Sequence, residues 1–160
     1  MAFTYEPIAT NTVSGSSTTT VTFSSIPSTY TDLVLIINGS SSTTTGLPIV
    51  FNSDTATNYS RTLLYGTGTA AGSQRSSNTS GAGVGYLLTT QTVNRFYIFN
   101  YANTTTFKTV LTRSDGAGDS AQVGVGLWRS TAAINSITFN ISSYTFNSGT
   151  MFTLYGIKAA

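Results

Sequence analysis

Apolar and polar residues alternate with a period of two along most of this chain, and nowhere do apolar residues recur at three-and-four spacing with good helix formers between them. The pattern predicts strands throughout and no substantial helix. Val21 and Phe23 alternate with Thr20, Thr22 and Ser24, after which Ile26-Pro27-Ser28 reads as a turn. Leu33 to Ile37 is apolar at every position, the mark of a central strand covered on both sides, and Asn38-Gly39 ends it. Leu47 to Asn52 and Tyr59 to Tyr65 read as strands joined by Ser53-Asp54-Thr55-Ala56-Thr57, whose side chains hydrogen-bond their own backbone. Gly66 to Gly85, almost wholly Gly, Ser, Thr, Ala and Asn, reads as a long surface loop. Strands resume at Val84 to Leu88, Arg95 to Tyr101, Lys108 to Arg113, Gln122 to Trp128, Ile134 to Ile141 and Met151 to Ile157.

About ten short strands separated by turn signals predict an all-β fold, an antiparallel β-sandwich of the jelly-roll kind. No linker, composition break or internal repeat divides the chain, so residues 1–160 form one domain. The expected core collects Leu33, Leu35, Ile37, Val50, Leu63, Leu87, Ile98, Val110, Leu111, Val125, Leu127, Ile137, Phe139, Phe152 and Leu154.

Composition then narrows the chemistry. Charged residues make up only 8%, while 22 Ser, 31 Thr and 11 Asn supply neutral polarity in their place. Neither His nor Cys occurs, which removes the commonest general base, the thiolate nucleophile, soft metal sites and every disulfide. The net charge of +2 rests on seven cations, no two adjacent in sequence, against five carboxylates. Phosphate backbones need clustered cations, so nucleic acid is not an expected partner, and association with any partner should depend weakly on salt. The longest aliphatic run, Leu33 to Ile37, is far too short to span a bilayer, and Met1 to Tyr5 lacks the basic start of a secretory signal. The expectation is a soluble chain made in the cytosol, with no membrane partner.

Each candidate for chemistry has a plainer account. The one close carboxylate pair, Asp115-Gly-Ala-Gly-Asp119, reads as a hairpin turn rather than as a glycosidase pair, since Asp and Gly supply the turn conformations themselves. Calcium ligands are conceivable there or at Asn52, Asp54 and Asn58, yet neither segment has the carboxylate density of a dedicated loop. Glycine triplets at Gly66, Gly68, Gly72 and at Gly81, Gly83, Gly85 precede no helix and so make no phosphate loop. Serine nucleophiles would need Lys108 or Lys158 as base, at no recognised spacing. The expectation is no enzyme, no metal and no cofactor. Tyr30, Tyr59, Tyr65, Tyr86, Tyr101 and Tyr144 fall at strand ends or loop mouths, where a ring packs inward while its hydroxyl stays wet; most read as structure, some as contact residues for a glycan.

Particular residues carry a more specific signal. Tyr5-Glu6-Pro7-Ile8-Ala9-Thr10, Val21 to Leu33, and the closing Gly149 to Ile157, together with Phe51-Asn52-Ser53-Asp54, Asn58-Tyr59-Ser60, Leu127-Trp128-Arg129-Ser130 and Ala133 to Ile137, resemble a group of small virion proteins of tailed bacteriophages. The resemblance spans nearly the whole chain. It implies a capsid decoration (cement) protein, made in the host cytoplasm and carried on the outer capsid surface, that binds the major capsid protein as a homotrimer. The alternative it leaves open is a tail-fibre or receptor-binding module contacting host glycans through the Gly66 to Gly85 loop and exposed tyrosines. On the decoration reading, the N-terminal segment Met1, Ala2, Phe3, Thr4, Tyr5 and Glu6 is the expected docking arm, because strand addition works through backbone hydrogen bonds and needs no charge. An ordinary edge strand of the same sandwich is the plainer reading of that segment.

Overall fold

A computed structural model describes residues 5–116 and 118–158, and among these it contains twelve strands and no helix. In chain order they are β1 (Tyr5–Thr12), β2 (Thr20–Phe23), β3 (Asp32–Gly39), β4 (Thr45–Phe51), β5 (Tyr59–Gly66), β6 (Ala71–Thr79), β7 (Ala82–Leu87), β8 (Thr92–Phe99), β9 (Lys108–Gly116), β10 (Ser120–Trp128), β11 (Ile137–Asn140) and β12 (Met151–Ile157). Every pairing is antiparallel, within one sheet ordered β1-β12-β3-β8-β9-β10-β5-β6 and a smaller one ordered β2-β11-β4-β7.

The connectivity is that of a ribbon folded over. β1 pairs with β12, β2 with β11, β3 with β8 and β4 with β7, so one long antiparallel ribbon lays its successive rungs in alternate sheets. That is a jelly roll. Two hairpins, β5–β6 and β9–β10, are inserted into the ribbon and both join the larger sheet beyond β8, widening it to eight strands.

Inward-facing residues of the two sheets form the core, with Leu33, Leu35, Ile37, Phe96, Ile98, Phe152 and Leu154 from the large sheet meeting Leu47, Ile49, Phe51, Ile137 and Phe139 from the small one. Phe139 sits edge-on to Phe96 at 5.2 Å between ring centroids, which links the two layers directly.

Four expected core residues are not interior. Leu111 and Val125 are exposed and Val50 and Leu127 are half-buried. In β10 the glycines face inward: a Cβ on Gly124 would come within 2.6 Å of Leu63 Cδ2, and one on Gly126 within 2.9 Å of Ala82 Cβ. β7 lies so close beneath β10 that only glycine fits, which turns Val123, Val125 and Leu127 outward. In β9, Val110 and Leu111 necessarily take opposite faces, and Val110 is the buried one.

The expected Gly66 to Gly85 loop is instead β6 and the first part of β7. β6 is polar on both faces, so it carries no alternation for a sequence reading to detect, and its backbone ladder to β5 is what holds it. The segment expected as a strand from Ile134 to Ile141 is a strand only over β11. Val34 and Ile36 of β3 face the outside of the large sheet, away from the second sheet, yet Val34, between its cross-strand neighbours Tyr97 and Tyr155, is buried all the same and Ile36 is half-buried.

Candidate functional site

The acidic and amide residues singled out by sequence are committed to the fold. Asp119 N donates to Gly116 O at 2.9 Å, closing the turn between β9 and β10. Asp115 accepts from Arg113 Nε at 2.8 Å, and Asp119 Oδ2 accepts from Ser120 Oγ at 3.0 Å. Between β4 and β5, Asn52 and Ser53 adopt positive φ (51° and 57°), the left-handed conformation that Asn tolerates well. There Asn52 Nδ2 donates to Ala133 O while its Oδ1 accepts from the amides of Asn135 and Ser136. Asp54 receives Asn58 Nδ2 at 2.9 Å, Trp128 Nε1 at 2.7 Å and Ala56 N at 3.0 Å. The Asn58 and Trp128 hydrogen bonds hold its carboxyl below the usual aspartate range. Arg129 Nη2 ties the same corner to Thr57 O and Asn78 Oδ1. Phe51 to Asp54, Asn58 and Trp128 to Arg129 thus form a joint between loops.

Three of the tyrosines expected to keep a wet hydroxyl are instead buried and bonded inside. Tyr59 Oη accepts from Phe51 N at 3.1 Å, while the hydroxyls of Tyr86 and Tyr101 donate to Ser120 O and Pro27 O. Burial pushes the Tyr59 hydroxyl up to about 12. Tyr59 stacks on Trp128 with ring centroids 6.2 Å apart, so this aromatic cluster is core. Tyr144 is exposed, and Tyr30 and Tyr65 are half-buried. Lys108 is buried as well, its Nζ donating to Thr106 O and Thr131 O, and burial lowers its pKa.

Of the expected docking arm, Met1, Ala2, Phe3 and Thr4 lie outside the described residues. Tyr5 and Glu6 open β1, whose one flank pairs with β12 and whose other flank is the edge of the large sheet. Glu6 is tied down by Lys158 at 2.9 Å, and that hydrogen bond lowers its pKa.

The broadest feature open to a partner is the outer face of the large sheet. Register places Thr62, Val125, Leu111, Tyr97, Val34 and Tyr155 side by side as one cross-strand row, and Leu64, Val123, Arg113, Arg95 and Ile36 as the next. Leu64 is 61% exposed, Val123 46% and Val125 45%. Sequence reading missed this face because it assigned the apolar side of β10 to the core. The available signal was the Val123-Gly-Val125-Gly-Leu127 spacing, where each glycine marks the crowded side.

The same face collects charge that is dispersed in sequence. Arg95 and Arg113 are direct cross-strand partners and Arg75 pairs opposite Thr62, with Asp115 the one carboxylate on the outer side of β8, β9, β10, β5 and β6. The remaining cations, Arg61, Lys108, Arg129 and Lys158, equal in number the remaining carboxylates, Glu6, Asp32, Asp54 and Asp119. Arg75, Arg95 and Arg113 against Asp115 thus leave a surplus of positive charge on these five strands, while Asp32 stands on the outer side of β3 at the margin of the face.

No protein-family model matches the chain, and no curated protein matches its sequence.

Proposed function

We propose that this is a bacteriophage virion structural protein without a catalytic role: a capsid decoration protein that sits on the outer capsid as a homotrimer and bridges major capsid subunits. Jelly rolls serve viral shells, sugar-binding proteins and enzymes alike, so the fold alone does not choose among these. The residue resemblance to small virion proteins points to the phage particle. The observation that carries the reading further is the wide outer face of the large sheet, where Leu64, Leu111, Val123 and Val125 stand exposed.

Such a protein works by avidity. Each protomer makes a modest contact, and joining three in one oligomer makes the second and third contacts effectively intramolecular. Closed cyclic symmetry presents each copy to the capsid in the same orientation. A chain without Cys or His has no thiol or imidazole whose state depends on redox conditions or on soft-metal loading, which suits a particle that leaves the cell.

Quantitative mass spectrometry of purified virions tests the reading. Decoration predicts on the order of hundreds of copies per particle, a repeat number set by capsid symmetry. Copy numbers in the low tens would reject it and place the chain in a fibre instead.

A further inference from the structure

We infer that the outer face of the large sheet, centred on β9 and β10, is the surface that docks onto another protein, and that the partner surface is apolar at its centre and bears carboxylates opposite Arg75 and Arg95. This deepens the decoration reading and rests on it for the identity of the partner, the outer surface of the capsid.

Size comes first. Seven strands from β12 to β6 span about 34 Å at ~4.8 Å each, and eight residues of strand add about 27 Å, giving roughly 900 Å² of flat area. A standard protein interface buries about 800 Å² per partner. The face is therefore large enough for one complete contact, and Val123, Val125, Leu111 and Tyr97 supply its apolar centre, with Leu64 toward its rim. Exposed apolar surface this extensive is otherwise a liability on an isolated soluble chain.

Charge decides between a second copy and a different protein. Arg75 and Arg95 have no carboxylate partner among the described residues, whose two ion pairs are Arg113 with Asp115 and Lys158 with Glu6. All five carboxylates already accept hydrogen bonds within their own chain. Two such faces laid together would stack Arg75, Arg95 and Arg113 against one another, with Asp115 already engaged by Arg113. A partner with its own acidic side chains satisfies both the apolar centre and the arginines. The three outer arginines, separate in sequence yet gathered on one face, also replace the expectation of weak salt dependence for this contact with a pronounced one.

The test uses capsid shells from a phage lacking this protein, titrated with the full chain and variants. Val125→Asp and, at the rim, Leu64→Asp are expected to weaken binding at least tenfold. Arg95→Glu should weaken it and flatten its salt dependence. Thr22→Asp, on the exposed side of the small sheet, should bind like the wild type. Circular dichroism on each variant selects those that remain folded. Unaltered binding by folded Val125→Asp, Leu64→Asp and Arg95→Glu overturns the inference while leaving the decoration reading intact. Loss of oligomerisation in these variants by sedimentation overturns it too, since the face would then join copies of this chain. Failure of the wild-type chain to bind shells sinks the decoration reading itself and the assigned partner with it.

Discussion

The indole Nε1 of Trp128 donates to Asp54 Oδ2 at 2.7 Å, across 74 positions of sequence. This bond fastens the loop after β4 to the end of β10, and Trp128 in turn stacks on Tyr59, so the loop is locked through one carboxylate to the aromatic core. Asp54→Ala leaves a buried indole N–H and the Asn58 amide without their acceptor. We expect a loss of about 1–3 kcal/mol in chemical denaturation, as for other charge-assisted hydrogen bonds.

The same carboxylate predicts the acid limb of stability. Its pKa is depressed in the folded state, so the unfolded chain binds the proton more readily, and the stabilisation present above the unfolded value of 3.8 is lost as pH falls below it. Denaturant midpoints measured from pH 6 down to pH 2 should show this fall. Asp54→Asn should show a shallower one.

At high pH the sign reverses. Tyr59 is raised from 10.0 to about 12, so the unfolded chain ionises first and stability falls as pH rises from 10 toward 12. Tyr59→Phe removes this group's share of the alkaline slope, and it costs about 1 kcal/mol at neutral pH through the lost bond to the Phe51 amide. Thermal melts of both proteins across that range provide the check.

The inside of β10 is fixed by close approach, so glycine and valine in this strand should respond in opposite ways. Gly124→Val forces a side chain against Leu63 and the Val84 carbonyl and is expected to destabilise by about 1–3 kcal/mol or prevent folding. Val125→Thr, one residue away and outward, should stay within about 0.5 kcal/mol. Equal effects would mean that the strand's two faces are wrongly assigned.

Hydrogen exchange separates the two readings of the segment after β5. As strand β6 in register with β5, Ala71–Thr79 should show protected amides at alternate positions, those pointing at β5, with the amides on the free edge exchanging quickly. Uniformly fast exchange would restore the loop.

The contrast between β6 and β10 shows where sequence stops informing. Leu33, Leu35 and Ile37 read as core and are core, because long apolar side chains at alternate positions have one efficient place to go. The jelly-roll class was legible from the spacing of strands and turns alone. β6 was not, since a strand with polar residues on both faces leaves no period-two trace. β10 was read inside out, because the residues that pack most tightly there have no side chain to be counted. Asp54 and Trp128 were each noticed, yet only folding reveals their bond. The apolar and cationic outer face stayed hidden for the same reason: Arg75, Arg95 and Arg113 lie far apart in sequence until the sheet order aligns them.

The most direct test of the account is a density map of the intact phage particle at side-chain resolution. It should show many copies of this chain in threefold clusters on the outer capsid, each turning Val123, Val125 and Leu111 toward the capsid, with acidic side chains meeting Arg75 and Arg95. Copies at the tail tip, or on the capsid with this face bare to solvent, would contradict it.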